Sequence, residues 1–251
     1  MSKLSVVIIT FNEEERIGQC IDSVRQIADE IIVLDSFSTD RTVEIAKAKG
    51  AVVFQEKFTG FTAQKNRVIS KSNYPYVFSI DADEELSEDL LRAIQSEKEK
   101  GFPAGAYPMN RLNFFGARAV KTCGWYPDTK VRIWNKAVGA WTGGLVHEEW
   151  TPTQKDVAVK KLSGDLLHYT YQTKQDLIQQ TERFADLAAE SLKQKNIFYL
   201  LIKMLSSPLF KFILNYFFKL GFTDGALGFT ICYYQSLGVF LKYYRALKRK
   251  Q

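Results

Sequence analysis

Cysteine is scarce in this 251-residue chain: Cys20, Cys123 and Cys232 stand far apart and are odd in number. With no CxxC pair and no cysteine–histidine cluster, the chain lacks a disulfide framework and the usual ligand spacing of a zinc site. The three read as free thiols of a reducing compartment. Histidine is scarcer still, at two residues, His147 and His168. Internal repeats and low-complexity segments are absent. So is an uncharged apolar run of the roughly 20 residues a spanning helix needs. The longest stretch without charge, residues 225–241, falls slightly short. The opening "MSKLSVVIIT" has no small-residue cleavage site, and an asparagine and three glutamates soon follow it. It therefore reads as a buried first strand rather than a signal peptide.

What is present is an ordinary globular balance, 46% hydrophobic and 25% charged, which excludes a disordered chain. The net charge of +6 is unevenly spread. Residues 193–251 hold ten Lys or Arg and one acid, a net of +9, so the preceding 192 residues carry −3. A basic end on a mildly acidic body suggests contact with an anionic surface. The positive charge lies in apolar segments rather than along a polar groove, which argues against nucleic acid.

The hydrophobic pattern alternates. β-branched runs at 4–10, 30–34, 51–54 and 76–80 read as strands, and helical spacing recurs at 14–24, 39–49 and 62–72. Ser87, followed by Glu88 and Asp89, caps a further helix. This alternation predicts an α/β fold with a mostly parallel sheet and flanking helices. Such sheets bind ligands beyond the carboxyl ends of their strands. Shorter runs from 104 to 168, among them "KVRIWN" and "DLLHYT", predict a small antiparallel extension. Residues 176–193 form an amphipathic helix, and 197–220 and 226–241 are strongly apolar helices edged by lysine. The expected division is a catalytic domain over 1–170 and a helical region over 171–251.

Polar residues fall just after the strands. "SIDADEEL" at 79–86 places Asp81 and Asp83 where two carboxylates can share a divalent cation; alternatively it is a solvated turn before the Ser87 cap. Glu84 and Glu85 read as the solvated lead-in to that helix. Thr10, Asn12 and Glu14 follow the first strand and Asp35 ends the second. Each can contact a nucleotide or simply serve a turn. Gln64 and Lys65 lie in "AQKNR", where a lysine can meet a phosphate or only coat a helix. "GGLVHEEW" at 143–150 sets His147 and Glu148 between two tryptophans, where a glutamate with a raised pKa can act as general base. The plainer reading of His147 is a structural histidine.

Taken in order, "SVVIITFNEE", "IIVLDSFSTDRT", "AQKNR", "SIDADEEL" and "VRIWNK…GGLVHEEW" resemble the inverting family-2 nucleotide-sugar glycosyltransferases, over roughly residues 4–150. Within that family the chain is most similar to the lipopolysaccharide-core β-glucosyltransferase branch, through "DADE", "VHE" and the C-terminal "GFTDGALGF". The resemblance implies a GT-A fold. It implies that Thr10, Asn12, Glu14, Asp35, Gln64, Lys65 and Asp81 hold the donor, that Asp83 and His147 meet Mg²⁺ or Mn²⁺, and that Glu148 is the base. Many relatives carry two acids after the second strand, where this chain has Asp35-Ser36. The implied reaction moves a hexose, glucose from UDP-glucose, onto a saccharide of a core-type glycolipid. The implied place is cytoplasmic, peripheral on the inner face of a bacterial plasma membrane, with the C-terminal helices on anionic lipid. Transfer to a polyprenyl phosphate is the other enzymatic reading, and a membrane-associated nucleotide-binding protein with a decayed site the non-enzymatic one.

Overall fold

The computed structural model describes residues 2–143 and 148–250. The chain divides into two compact units, Met1–Leu112 with Asp128–His168, and Asn113–Pro127 with Tyr169–Gln251.

The first unit begins with the expected alternation. It runs β1 (Leu4–Thr10), α1 (Ile17–Val24), β2 (Glu30–Asp35), α2 (Thr42–Ala48), β3 (Val52–Gln55), α3 (Phe61–Ser70) and β4 (Tyr76–Asp81). A short β5 (Glu84–Leu86) and α4 (Glu88–Glu99) follow, then β6 (Ala106–Phe115), β8 (Asp128–Asn135), β9 (Gly139–Gly143), β10 (Glu148–Pro152) and β11 (Asp165–Tyr171); β7 (Arg118–Ala119) and the last residues of β6 and β11 belong to the second unit. The main sheet has the order β3-β2-β1-β4-β8-β6-β11-β5, with β7 on β6, and β9 and β10 form a separate antiparallel pair. β1 to β4 are parallel, whereas β8 joins β4 antiparallel. Between β10 and β11 the chain contributes only an isolated bridge, Ala106 to Val159.

β1 explains the core. It is central and covered on both faces, so an unbroken β-branched run is stable there. Leu4, Val6 and Ile8 turn to one face and pack with Ile17 and Ile21 of α1 and Leu90 of α4. Val7 turns to the other, with Val68 and Ile69 of α3 and with Trp134 and Trp141. Each such side chain buried completely contributes about 1.5–3 kcal/mol. Ser87 caps α4 as expected, its Oγ accepting from the Leu90 N–H at 3.3 Å.

The second unit holds α5 (Lys174–Glu190), α6 (Ile197–Ile213), a π-turn over Leu214–Phe218, a 3-10 turn over Gly221–Asp224, and α7 (Gly225–Lys248). Thr173 and Asp176 form a reciprocal capping box on α5. Arg245 of α7 and Arg249, its C-cap, reach Asp186 of α5 at 2.8 and 3.4 Å. The "GFTDGALGF" element is the tight turn into α7. A β-carbon on Gly228 would sit 1.9 Å from the Gly221 carbonyl oxygen, so the backbones approach too closely for any other residue. Asp224 then accepts from Arg118 and from the Thr122 hydroxyl, pinning the turn to the β7 hairpin.

Candidate active site

Parallel pairing gathers the strand ends. Thr10 lies opposite Asp35, and Ile9 opposite Asp81, so the first three candidate strand ends lie side by side at one edge. Asp35 is fully buried. Its carboxylate accepts from the Ser38 N–H at 2.9 Å, from the Ser38 hydroxyl, and from the Gln55 amide at 3.0 Å. It therefore does organise its own turn, as the plainer reading had it, while sitting at the sheet mouth. Asn12 fastens the two loops together: its N–H donates to Ser38 Oγ and its Oδ1 accepts from the Thr39 N–H, both at 2.8 Å. Glu14 accepts from the Arg41 N–H at 3.1 Å, on the loop side of the same junction. Thr10 Oγ1 is buried and, among the described residues, has no hydrogen-bond partner.

Gln64 and Lys65 are buried because α3 turns Gln64, Lys65, Val68 and Ile69 inward, a spacing that forms one helical face. Gln64 donates to Ser36 Oγ at 3.2 Å, and its Oε1 is buried without a partner among the described residues. Lys65 is not a surface cation. Its Nζ lies 3.1 Å from Asp81 Oδ1 and 3.1 Å from Glu148 Oε1, over the Trp141 ring at 4.8 Å. Asn66 holds this arrangement in place, donating to the Trp141 carbonyl at 2.8 Å and accepting its N–H at 3.2 Å. Glu148 thus meets a cation, whereas the adjacent Glu149 is exposed.

Around Asp81 the structure adds groups that sequence reasoning missed. Arg132, central in β8 and almost wholly buried, lies 3.1 Å from Asp81 Oδ2 and 2.6 Å from Glu84 Oε1. Burial opposes ionisation of Asp81, but Lys65 and Arg132 overcome it and hold the carboxyl far below the ordinary range. Glu84, expected in solvent, is fully buried; it accepts the Asp81 N–H at 2.9 Å. Burial, with Asp81 adding, pushes its carboxyl up against the pull of Arg132. The reason for the correction is β8, which delivers a guanidinium from 48 residues downstream.

Asp83 stands apart from this network. It is partly exposed, and its Oδ2 lies 3.1 Å from Nε2 of His168, which β11 brings opposite Glu84. His147 lies outside the described residues. Burial, with Asp83 and Asp40 adding, pushes the Glu13 carboxyl up to about 7. A carboxylate and an imidazole side by side in a field this negative suit a divalent cation of the Mn²⁺ or Mg²⁺ type, which keeps its remaining positions for water and substrate oxygens. Among the described residues, no group of three or more His, Cys, Asp or Glu encloses a metal on its own.

Comparison with known proteins gives the chain a family. The model of the glycosyl transferase family 2 matches residues 5–146. An uncharacterized glycosyltransferase of Rickettsia typhi is 31% identical, aligned over 92% of this chain and 82% of its own. One of Rickettsia prowazekii is 33% identical, over 90% and 81%. Among solved structures, glucosyl-3-phosphoglycerate synthase of Mycobacterium tuberculosis, in complex with Mn²⁺, UDP and glucosyl-3-phosphoglycerate, is 26% identical. That match has a TM-score of 0.37 and covers 46% of this chain and 45% of that one, less than half its length. TarS of S. aureus is 15% identical with a TM-score of 0.48, over 77% of this chain and 40% of its own.

Proposed function

This chain belongs to glycosyl transferase family 2, and from that premise we propose an inverting transferase that moves a hexose from a nucleoside-diphosphate donor, UDP-glucose, to a saccharide of a lipopolysaccharide-core-type glycolipid. The observation that supports it best is Lys65. One buried ammonium bridges Asp81, at the donor edge of the sheet, and Glu148. A general base and a phosphate-compensating cation are thereby coupled in one contact.

In this reading Thr10, Asn12, Glu14, Asp35 and Gln64 hold the nucleotide, and Asp81 meets its ribose or phosphates. Glu148 takes the proton of the acceptor hydroxyl. The freed oxygen pair forms the new bond to the anomeric carbon, and the bond to the diphosphate oxygen breaks on the opposite face. The centre inverts, so an α-linked donor yields a β-glycoside. Lys65 compensates charge on the departing diphosphate, and Arg132 with Glu84 fixes Asp81 against movement. Asp83 and His168 would hold the divalent cation, which when bound neutralises the diphosphate. A hydrolysis screen across nucleotide sugars, with and without Mn²⁺, tests the donor. Release of UDP from UDP-glucose alone supports it, and a preference for another nucleotide sugar removes it.

The second unit supports the peripheral membrane reading. Ile197–Phe218 is long and apolar enough to cross a membrane, and almost none of it is buried. Leu205 and Phe218 are 72% and 77% exposed. Lys203, Lys211 and Pro208 within it favour a helix lying in the interface, with lysines meeting anionic headgroups. Glutamine at Leu205, Phe210 and Phe218 should abolish flotation with phosphatidylglycerol vesicles. Carbonate extraction that leaves the wild type in the pellet would instead indicate a spanning helix.

A further inference from the structure

Phe37 has left-handed backbone, φ 64°, and its ring is 55% exposed. Side chains with a β-carbon rarely adopt that region, and bulky ones least of all. A ring more than half exposed recovers little through burial. A turn with no other task would carry glycine or asparagine there. The conformation is enforced by its neighbours. Ser38 donates twice to buried Asp35, and Asn12, itself at φ 54°, ties Ser38 and Thr39 to the β1 loop. Local strain held by surrounding structure marks a working residue.

Its position says which work. Thr10 pairs with Asp35, so Phe11, one residue on and 56% exposed, and Phe37, two residues on, leave the same edge of the sheet. Among the described residues neither ring packs against another aromatic ring. Asp35, buried, precedes Phe37 by two residues, Thr10 precedes Phe11, and Gln64 donates to Ser36; Thr10 Oγ1 and Gln64 Oε1 are buried with no partner among the described residues. A flat apolar surface bordered by buried hydrogen-bonding atoms fits a ligand with a π-face and polar edges.

We infer that Phe37 is the stacking platform for the planar base of the donor nucleotide. The inference rests on the nucleotide-sugar reading and assigns this residue a share of it. Every base has a π-face, so the platform supplies affinity without choosing among bases, and selection falls to the hydrogen-bonding atoms around Asp35. Holding the backbone that carries the ring in place before the ligand arrives removes part of the ordering cost from binding.

The test is calorimetric titration of the full chain with UDP and with inorganic pyrophosphate, both with Mn²⁺, for wild type, Phe37→Gly, Phe37→Leu and Phe37→Trp. Phe37→Gly relieves the backbone and should melt at the same temperature or higher, while UDP affinity falls about 5- to 100-fold. Phe37→Leu, which keeps bulk and loses the π-face, should also bind UDP more weakly. Phe37→Trp should retain affinity and show fluorescence quenching by UDP. Pyrophosphate, which has no base, should bind all four alike. The inference is overturned if Phe37→Gly binds UDP as wild type does, or if it loses UDP and pyrophosphate equally, the mark of a purely structural role. Either result leaves the donor reading standing. A wild-type chain that binds no nucleoside diphosphate overturns both.

Discussion

Replacing Arg132 with methionine tests the charge network beneath the site. The guanidinium is 2.6 Å from Glu84 Oε1 and 3.1 Å from Asp81 Oδ2. Without it Asp81 keeps Lys65, while among the described residues Glu84 keeps an ion pair only with Arg111, at 3.7 Å. A fully buried carboxylate loses its main partner, which costs about 3–5 kcal/mol. The sign of the pH dependence follows. Burial already raises the Glu84 carboxyl and Arg132 opposes that rise most strongly, so removing Arg132 raises it further. A carboxyl whose folded pKa exceeds its unfolded value loses stability as pH rises through the gap. The penalty should therefore be largest at pH 8 and smaller at pH 5.5, where a proton replaces the lost partner. Adding Glu84→Gln should recover about 2 kcal/mol of it, because no charge is then stranded. Urea unfolding at both pH values, followed by tryptophan fluorescence, gives all three numbers. A penalty below about 1 kcal/mol, or one no smaller at pH 5.5, would refute the reasoning.

Three more outcomes are expected. His168→Ala should raise the Mn²⁺ concentration for half-maximal UDP binding about tenfold or more; an unchanged requirement removes His168 from the cation site. Glu13→Gln should stabilise the chain at pH 8 and not at pH 5, because a carboxyl near 7 when folded and 4.5 when unfolded loses stability between those values. The group is partly solvated, so the gain is on the order of 1 kcal/mol, and an equal shift in melting temperature at both pH values would contradict it. Gly228→Ala should cost about 3 kcal/mol or more, since its β-carbon would meet the Gly221 carbonyl. A melting temperature equal to wild type would show that the turn can relax.

The parallel half of the sheet was legible because its strands are buried on both faces and its helices carry one apolar stripe. The carboxyl-end rule then located Thr10, Asp35 and Asp81 without coordinates. Arg132, Asn66 and His168 were not legible, for one reason: each meets its partner through tertiary pairing over a long sequence distance. Arg132 pairs across β4 and β8, and His168 across β5 and β11. Their signals were present but faint, a cation inside the apolar run "KVRIWN" and one of two histidines inside "DLLHYT". Glu84 was misread because four acids within five residues look alike until a buried guanidinium selects one. The basic, aromatic tail was legible in composition, but which rings face outward required α6, α7 and the turn between them.

The coupling of Glu148 to the donor edge through Lys65 is the central claim, and Glu148→Gln addresses it most directly. Single-turnover transfer should fall by about 10²–10⁴-fold, while UDP binding stays within a few-fold of wild type. Glu149→Gln, on the exposed neighbour, should transfer normally. Normal transfer by Glu148→Gln, with loss in Glu149→Gln, would contradict the account.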